Sequence, residues 1–443
     1  MSNADQAVYV LMTEHFSLAK GLYYWGQDRF GSLIPALAHP LTYIMPSIWA
    51  LTLVQMLSLF GAWWIWSKSL DRPLSKIVLA AAFWLPPLAF YSAVVIAQPY
   101  HILLLLWGLC IHLAKRESKL SWGLAGLTLG LSYWVSEVSI VLVGWMLIYY
   151  VQPSKWRRII PMVLGALPGI ALILAAKNNA TRIPIYQQQM LVDFNEFTTG
   201  IARIFEGIIA HSLQMPISRW AAMTTHILLV VIAIILIIRT FRLLYKWMIL
   251  RLEKSALDLA PAFLLFGLLA LTLSSYWVYY HETSIRYFAM LYPLGIFFWL
   301  QTFDKKKSIP ANLLVIAMMF TGVIDTFRLY TNLEIPENRM SFNEAKQFIV
   351  EENAVYIGDY WTVYMPGFWH PNKAYYFSHE DGYVRNSHQL KEVFKTDQKI
   401  FAIGDNWLES FPDTLNQFQR QFIKLEETEN AGYQVARYEV VVR

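Results

Sequence analysis

Residues 101–137 read HILLLLWGLCIHLAKRESKLSWGLAGLTLGLSYWVSE. Apolar runs occupy both halves of this stretch, at 101–114 and 121–133. The loop between them is basic and contains Lys115, Arg116 and Lys119. Because lysine and arginine favour the cytoplasmic loops of membrane proteins, the stretch predicts two spanning helices joined on the cytoplasmic side.

The composition of the whole chain agrees with a membrane protein. Of its 443 residues, 56% are hydrophobic and 16% aromatic, whereas about half of the residues in an ordinary soluble domain are apolar. A hydrocarbon environment forces backbone polar groups to pair within a segment, so the spans are predicted to be helices. This excludes a soluble enzyme fold for roughly the first three quarters of the chain. The single cysteine, Cys110, excludes an internal disulfide.

Apolar runs near the length of a spanning helix recur along the chain and predict about ten transmembrane helices. The runs are 41–66, 77–95, 101–114, 121–133, 138–151, 159–176, 222–239, 259–279, 286–303 and 309–327. The three runs between 101 and 151 are short for a full span, so their ends are expected to extend into neighbouring polar residues.

Basic clusters define the predicted orientation, because they occur in every second loop. They are Lys68, Arg72 and Lys76; Lys115, Arg116 and Lys119; Lys155, Arg157 and Arg158; Arg239, Arg242, Lys246, Arg251 and Lys254; and Lys305, Lys306 and Lys307. The segments expected outside the cytoplasm are residues 1–40, 98–101, 133–137, 177–221, 281–286 and everything after about 328. The net charge of +5 is thus explained by loops facing the cytoplasm across the inner (plasma) membrane and gives no reason to expect nucleic-acid binding.

This orientation places both chain termini outside. Residues 1–40 contain neither a signal peptide nor a spanning helix that could carry the N-terminus across. We therefore expect a first transmembrane helix to precede the chain, with unaided translocation of a short tail as the alternative.

The composition changes after about residue 328, where charged residues become frequent. Apolar stretches of strand length, AVYIGDY, KAYYFS, KIFAIGD and YEVVV, alternate with the helix-like segments FNEAKQFIVEEN, HQLKEVFKTD and DTLNQFQRQF. The pattern predicts a small external α/β domain at 328–443, after a membrane domain at 1–327 whose first external loop is 1–40.

The N-terminal segment carries the first candidate site. Apolar residues recur at helical spacing between Gln6 and Leu18, which predicts an interfacial amphipathic helix. Glu14 and His15 stand among them and are candidates to line a substrate site. Asp5 lies at the start of that helix. It is either a helix cap, which accepts hydrogen bonds from free backbone amides, or a carboxylate available for chemistry.

The following stretch, GLYYWGQDRFGSL, is dense in aromatic residues and glycines. Tyr24, Trp25 and Gln27 are candidates to line a substrate site, since aromatic rings stack against sugars. The same composition is typical of the aromatic belt at a membrane interface.

A third concentration is HETSIRY, at the predicted external start of a spanning helix. His281, Glu282 and Tyr287 are candidates to line a substrate site there. Arg286 could hold a phosphate with its planar guanidinium, aided by the positive end of the helix. The alternative is an arginine that extends toward lipid headgroups.

A divalent metal is a candidate cofactor, although no spacing of ligand residues in the sequence requires one. His101, Glu137 and His281 could contribute ligands together with Asp5 or Glu282, and Glu137 could instead contact the acceptor. The chain contains no HExxH, Walker A, Rossmann glycine or G-x-S-x-G pattern, so nucleotide-driven chemistry is not expected.

Taken together, the chain resembles the GT-C superfamily of polyprenyl-phosphate-dependent membrane glycosyltransferases, in particular bacterial members similar to family 39 protein mannosyltransferases and lipid A aminoarabinose transferases. The resemblance rests on four segments in the same order as in that group. They are DQAVYVLMTEHFSLAKGLYYWGQDRFGSL, LSYWVSE, HETSIRYFAMLYP and YIGDYWTVYMPGFW.

The resemblance implies a mainly α, polytopic fold and a role for two residues. Asp5 matches the catalytic aspartate of the group and Arg286 matches the arginine near the lipid phosphate. Two departures are Gln6, where an acidic neighbour is usual, and Ile34, which replaces the glutamate of the group's GSLE motif.

The implied activity is inverting transfer of a sugar from a polyprenyl-phosphate donor to a hydroxyl of a lipid, glycan or protein, outside the cytoplasm. Asp5 would act as the base. Two other classes stay open: a transporter or flippase for lipid-linked sugars, and a non-catalytic assembly subunit. Against transport, the two halves of the chain show no matched pair of broken helices.

Overall fold

A computed structural model describes residues 4–86, 99–116, 118–150, 156–180, 191–213, 219–248, 259–283, 285–303, 316, 320, 323, 340–394, 398–405 and 407–441. Its helices are α1 Ala4–Glu14, α2 Leu33–Ala38, α3 Ser47–Ser67, α4 Pro73–Trp84, α5 Tyr100–Ala114, α6 Lys119–Val135, α7 Ile140–Tyr150, α8 Ile159–Asn179, α9 Phe194–Leu213, α10 Arg219–Met248, α11 Ala260–Leu273, α12 Tyr276–Tyr280, α13 Leu291–Phe303, α14 Phe342–Gln347, α15 Tyr360–Val363 and α16 Ser387–Val393.

The helices follow the predicted apolar runs, but ten spans are not confirmed. Among the described residues, α3 and α8, with 21 residues each, are long and apolar enough to cross a membrane. Helices α4, α5, α11 and α13 are apolar but shorter. The run 309–327 lies almost entirely outside the described residues, and so does the second half of 77–95.

Helix α8 has the surface expected of a lipid-facing helix. Ile160, Leu164 and Leu167 are exposed although the helix is strongly apolar. Water would penalise such a surface, whereas lipid tails solvate it at no cost.

Glycines bring α6 and α8 into direct backbone contact. A Cβ on Gly126 would lie 1.8 Å from the carbonyl oxygen of Met162, and one on Gly165 would lie 1.9 Å from that of Gly123. A Cβ on Gly169 would meet the backbone of Gly130 at 2.2 Å. Small residues at such spacing let helices pack by van der Waals contact inside a bilayer, where no hydrophobic force drives them together.

The chain forms two compact units. One contains residues 1–55, 172–188 and 334–443, and the other contains 56–171 and 189–333. The predicted domain boundary at 327/328 lies outside the described residues.

The first unit contains a six-stranded sheet in the order β2-β1-β3-β6-β5-β4. The strands are β1 Ala354–Gly358, β2 Ala374–Ser378, β3 Ile400–Ile403, β4 Thr414–Gln417, β5 Arg420–Asn430 and β6 Tyr433–Val440. Strand β1 pairs in parallel with β2 on one side and with β3 on the other, whereas β3, β6, β5 and β4 pair antiparallel. The predicted α/β composition of the C-terminal region is present, and all five residues of β1 are buried, as expected of a central strand.

The predicted helix at DTLNQFQRQF, residues 413–422, is wrong. The segment is the hairpin of β4 and β5, whose two-residue turn, Phe418 and Gln419, has positive φ angles of 52° and 61°. Leu415 and Phe422 are paired across the hairpin and both are buried. The apolar residues alternate along the strands and face one side of the hairpin. The prediction was wrong because the sequence lacks the Asn-Gly or Asp-Gly pair that usually marks such a turn.

The predicted helix at the N-terminus is present as α1, but it is not an interfacial amphipathic helix. It ends at Glu14, and its residues from Ala7 to Thr13 are all buried. Leu11 packs against Gly367, where an added Cβ would lie 3.1 Å from the leucine. Helix α1 is therefore a core element of the unit that contains the sheet, where each buried aliphatic side chain contributes about 1.5–3 kcal/mol.

Candidate functional site

The parallel strands β2, β1 and β3 have a topological switch point at their carboxyl ends, the position at which open α/β sheets have a crevice. Because β1 lies between β2 and β3, the chain leaves β1 at a point where the strand order reverses, which is where open α/β sheets bind ligands. Directly after β1, the Asp359 side chain accepts a hydrogen bond from the backbone N–H of Trp361 at 2.8 Å and begins α15. This cap fixes Tyr360 at the start of α15.

Tyr360 connects this switch point to the N-terminal helix. Its hydroxyl donates a 2.6 Å hydrogen bond to Oδ1 of Asp5, in the first turn of α1. The Nε–H of Arg385, from the loop after β2, donates to the same hydroxyl at 3.3 Å. Tyr24 adds a contact of 3.4 Å from its hydroxyl to the Asp5 carbonyl oxygen. The tyrosine hydroxyl thus lies between a carboxylate and a guanidinium.

Arg385 is buried, with 6% of its surface exposed, and aromatic rings surround its guanidinium. Its guanidinium carbon lies 4.9 Å from the Tyr360 ring centre and 5.7 Å from that of Tyr24, distances at which a cation is attracted by a ring face. Its backbone N–H donates to the Tyr364 hydroxyl at 3.0 Å. Several neighbours therefore fix the orientation of this guanidinium.

Burial keeps the tyrosines protonated. Desolvation raises the pKa of Tyr360 well above its ordinary value, and the Asp5 carboxylate raises it further. Burial likewise raises the pKa of Tyr24, with Tyr360 and Asp5 as secondary causes. Both hydroxyls therefore remain hydrogen-bond donors at neutral pH.

A shallow pocket opens beside this network. Tyr24, Trp25 and Gln27 line one part of it, and Arg385 and His388 line another. The Trp25 and His388 rings meet edge to face at 5.6 Å. Oε1 of Gln27 is buried and has no hydrogen-bond partner among the described residues. Asp5 is not among the lining residues and reaches the pocket through Tyr24 and Arg385.

A short hairpin presents the aromatic residues to the pocket. Tyr23 and Gly31 form an antiparallel bridge, and the hairpin bends at Gly26, whose φ is +71°. A Cβ on Gly26 would lie 3.2 Å from the Cα of Arg385. Glycine thus supplies the left-handed turn and the close approach to the loop of Arg385.

The charge around the pocket is mainly positive. Lys20 lines it, paired at 2.9 Å with Glu392 on the exposed surface. Lys177 lies 5.8 Å from the ring of Tyr23. Burial, and next the charge of Lys20, lower the pKa of His388, so its imidazole is neutral at pH 7.

Glu14 and His15 lie at the opposite end of α1 from Asp5. The Glu14 carboxylate accepts hydrogen bonds from the Ser47 hydroxyl and the Asn372 amide. Nε2 of His15 lies 2.9 Å from the carbonyl oxygen of Pro371. These contacts connect the end of α1 to neighbouring segments of the same unit.

The remaining candidates belong to the second unit. Arg286 is in a short 3₁₀ turn, Ile285–Phe288, which precedes α13; its side chain lies outside the described part of the structure. Nδ1 of His281 lies 2.9 Å from the Trp277 carbonyl oxygen, and its ring lies 6.5 Å from that of Tyr287. Glu282 is exposed and adopts a positive φ of 55°.

The metal candidates do not form a ligand cluster in the described residues. His101 is buried in the first turn of α5, whereas Glu137 is exposed in a 3₁₀ turn. Within the described ranges, no three His, Cys, Asp or Glu side chains come close enough to hold a metal ion.

Sequence reasoning missed Tyr360, Arg385 and His388. Tyr360 lies within the YIGDYW segment that carried part of the family resemblance. Arg385, in GYVRNSH, stands in a loop without a motif. Its role depends on contacts with Tyr24 and Tyr360, which are distant in sequence.

Comparison with solved structures identifies the fold. The chain matches the crystal structure of ArnT from Cupriavidus metallidurans in the apo state with a TM-score of 0.53 and 10% identity, covering 99% of this chain and 93% of ArnT. It matches ArnT from the same organism bound to undecaprenyl phosphate with a TM-score of 0.52 and 10% identity, covering 98% and 92%. No protein-family model matches the chain, and no curated protein matches it in sequence.

The chain therefore shares its fold with ArnT, which agrees with the fold that the resemblance of its sequence implied.

Proposed function

We propose that this protein transfers a sugar from a polyprenyl-phosphate donor to an acceptor hydroxyl on the extracytoplasmic face of the membrane. The observation that carries the proposal is the likeness to ArnT over 99% of the chain, together with the ArnT structure bound to undecaprenyl phosphate. A lipid-linked sugar is already activated by its phosphate, so the reaction needs no nucleotide.

The proposed base is Asp5. Its carboxylate keeps partial solvent exposure and is oriented through Oδ1 by Tyr360 at 2.6 Å. That hydrogen bond leaves the second oxygen, Oδ2, as the atom that takes the proton of the acceptor hydroxyl. A base held by a second residue in this way begins the reaction in a defined orientation.

The proposed chemistry is a single displacement. The acceptor oxygen forms a bond to the anomeric carbon while its proton passes to Asp5. The bond from that carbon to the phosphate oxygen breaks, and the polyprenyl phosphate leaves with the electron pair. Attack opposite the leaving group inverts the anomeric configuration. Arg286 is proposed to hold the donor phosphate and neutralise its growing charge.

The pocket beside Tyr24 supports a role in sugar recognition. The aromatic faces of Tyr24 and Trp25 suit the C–H face of a sugar ring, while Gln27 and Arg385 supply a planar acceptor and a planar donor for its hydroxyls. We assign this pocket to the sugar-bearing part of the donor or acceptor.

The direct test is a transfer assay with the purified protein in detergent. A panel of polyprenyl-phosphate sugars is incubated with envelope lipids, glycans and proteins, and release of polyprenyl phosphate is followed together with the labelled sugar. We expect release that depends on an acceptor. A flippase would instead move the donor across proteoliposomes without release, and an assembly subunit would do neither, so either result would refute the proposal.

The same proposal implies an orientation. Residues 328–443 are placed outside, and the basic clusters inside. A cysteine introduced at position 306 should resist a membrane-impermeant reagent added to intact spheroplasts, whereas one at position 413 should react. The native Cys110 is buried and does not interfere.

A further inference from the structure

The second unit contains a pocket that the proposed reaction does not use. Four helices meet around it: α3, α5, α11 and α13. Each contributes residues near one of its ends, such as Trp66 at the end of α3 and Pro261 at the start of α11.

Those four ends adjoin basic clusters in the sequence. Helix α3 ends just before Lys68, α5 ends just before Lys115, α11 begins shortly after Lys254, and α13 ends shortly before Lys305. The pocket therefore lies at the helix ends that the alternation of basic loops assigns to the cytoplasmic side.

The floor of the pocket is apolar and tightly built. Trp66, Phe297 and Gly108 lie there, with the Trp66 indole N–H donating to the Leu104 carbonyl oxygen at 2.8 Å. A Cβ on Gly108 would lie 2.8 Å from that indole nitrogen. Glycine is required at this position because the indole occupies the space of a side chain.

The rim is polar and cationic. Lys115 and Ser69 are exposed at the edge, and His112 lines the wall. Nη2 of Arg116 lies 3.3 Å from Nε2 of His112, and Lys68 and Lys115 also act electrostatically on this imidazole. The described lining residues include no carboxylate.

A further polar atom points to a ligand that carries hydroxyl groups. Oε1 of Gln301, which lines the pocket from α13, is buried and has no hydrogen-bond partner among the described residues. A buried acceptor left without a donor is destabilising, because it has lost its hydrogen bonds to water. A hydroxyl donor from a bound molecule would remove that cost.

From these observations, we propose that the pocket binds the headgroup of an anionic phospholipid of the cytoplasmic leaflet. The lipid whose headgroup fits these residues is phosphatidylglycerol. The phosphate meets the cations of the rim, the headgroup glycerol donates to Gln301, and the apolar floor accommodates the start of an acyl chain. Basic pockets between helix ends on this side of a membrane are suited to such lipids. None of the described residues that line this pocket has a part in the proposed transfer reaction.

The test uses the full-length protein purified in detergent and stripped of lipid by extensive washing. Phosphatidylglycerol, phosphatidylcholine, undecaprenyl phosphate and inorganic phosphate are titrated separately, and binding is read by native mass spectrometry and by the unfolding midpoint. We expect phosphatidylglycerol to bind and to raise the midpoint, and phosphatidylcholine and inorganic phosphate to have little effect on it. Undecaprenyl phosphate, the product of the proposed transfer, should bind without competing with phosphatidylglycerol, because it belongs to the transfer site.

The His112→Ala, Lys115→Ala double variant should bind phosphatidylglycerol about tenfold more weakly, the effect of losing one charged contact. Lys119→Ala removes the same charge from the same loop but does not line the pocket, and it should retain affinity. An equal loss in both variants would refute the site.

A photoreactive phosphatidylglycerol gives a second readout that needs no variant. Labelled peptides should map to residues 100–116 and 291–303, which contain the wall and floor of the pocket. Labelling confined to other segments would refute the location. Displacement of this label by equimolar undecaprenyl phosphate or by inorganic phosphate would refute the assigned occupant.

Discussion

Tyr360 donates a 2.6 Å hydrogen bond to Asp5, although the two residues are 355 positions apart in the chain. The bond joins α1 to α15, the helix that follows β1. It brings a carboxylate from the N-terminal segment to the carboxyl ends of parallel strands, where α/β folds bind their ligands.

The Tyr360→Phe substitution tests whether that bond orients Asp5. Loss of the hydroxyl leaves the Asp5 carboxylate and the Arg385 Nε without their shared partner, which should destabilise the fold by about 1–3 kcal/mol. If the bond also orients the base, kcat should fall at least about tenfold with little change in KM. Thermal unfolding and transfer kinetics measure the two effects separately.

The control for this variant is Tyr433→Phe. Tyr433 also donates to a carboxylate, that of Glu344, at 3.2 Å, but it lies away from Asp5. It should lose stability without a specific loss of kcat. A Tyr360→Phe protein that is less stable yet fully active would show that the bond is structural only.

The Asp5→Asn substitution distinguishes a catalytic base from a helix cap at this position. The amide keeps an oxygen that can accept from Tyr360 and has the same capping ability as aspartate, so the unfolding midpoint should change little. It cannot take a proton, so transfer should fall about a hundredfold or more. Equal turnover in both forms, measured with a polyprenyl-phosphate donor, would leave Asp5 as a structural residue.

Arg286→Ala should weaken use of the donor strongly, and Arg286→Lys should restore it only in part. A point charge cannot reproduce the two-pronged contact of a guanidinium with phosphate. We expect a loss of about 2–4 kcal/mol in transition-state stabilisation, or roughly a hundredfold or more in kcat/KM. Near-normal kinetics in the alanine variant would assign Arg286 to the lipid interface instead.

Gly126→Ala should destabilise the helix pair α6 and α8. The added Cβ would lie 1.8 Å from the Met162 carbonyl oxygen, so the helices must separate. Overpacking of this kind costs about 1–3 kcal/mol. Gly123→Ala is the matched control in the same helix, because its Cβ would meet the Pro161 oxygen at an ordinary 3.7 Å. The two unfolding midpoints in detergent should therefore differ, with Gly126→Ala the lower.

The unit that contains the sheet should lose stability in alkali. Burial raises the pKa of Tyr364 from 10.0 to about 12. Because the folded-state pKa lies above the unfolded one, this contribution is complete below pH 10 and is lost as the pH rises from about 10 to 12. The unfolding midpoint should fall over that range, and less steeply in Tyr364→Phe. A parallel decline in both proteins would contradict the assignment.

The sequence predicted those parts of the fold that depend on local pattern. The apolar runs marked α3, α5, α6 and α8 to within a few residues, and the short runs AVYIGDY and KAYYFS marked β1 and β2. It failed at 413–422, where Leu415 and Phe422 fit either a helix face or a hairpin until the turn at Phe418 is known.

The candidate site was predictable only in its N-terminal half. Tyr24, Trp25 and Gln27 stand out as an aromatic, polar cluster and do line one pocket. Arg385 could not be identified from the sequence, because its role depends on the Tyr24 and Tyr360 rings that contact it in the folded protein. The burial of α1 was also hidden, since its partners near Gly367 lie far along the chain.

The contact between Leu11 and Gly367 has a consequence for synthesis of the protein in the cell. At about 5–20 residues per second, the ribosome needs on the order of tens of seconds between the two. During that interval the segments that bury Val8 and Leu11 in the folded protein have not all been synthesised. These apolar side chains of α1 are therefore exposed on the nascent chain until the last quarter of the protein emerges, and transiently exposed apolar surface of this kind promotes aggregation.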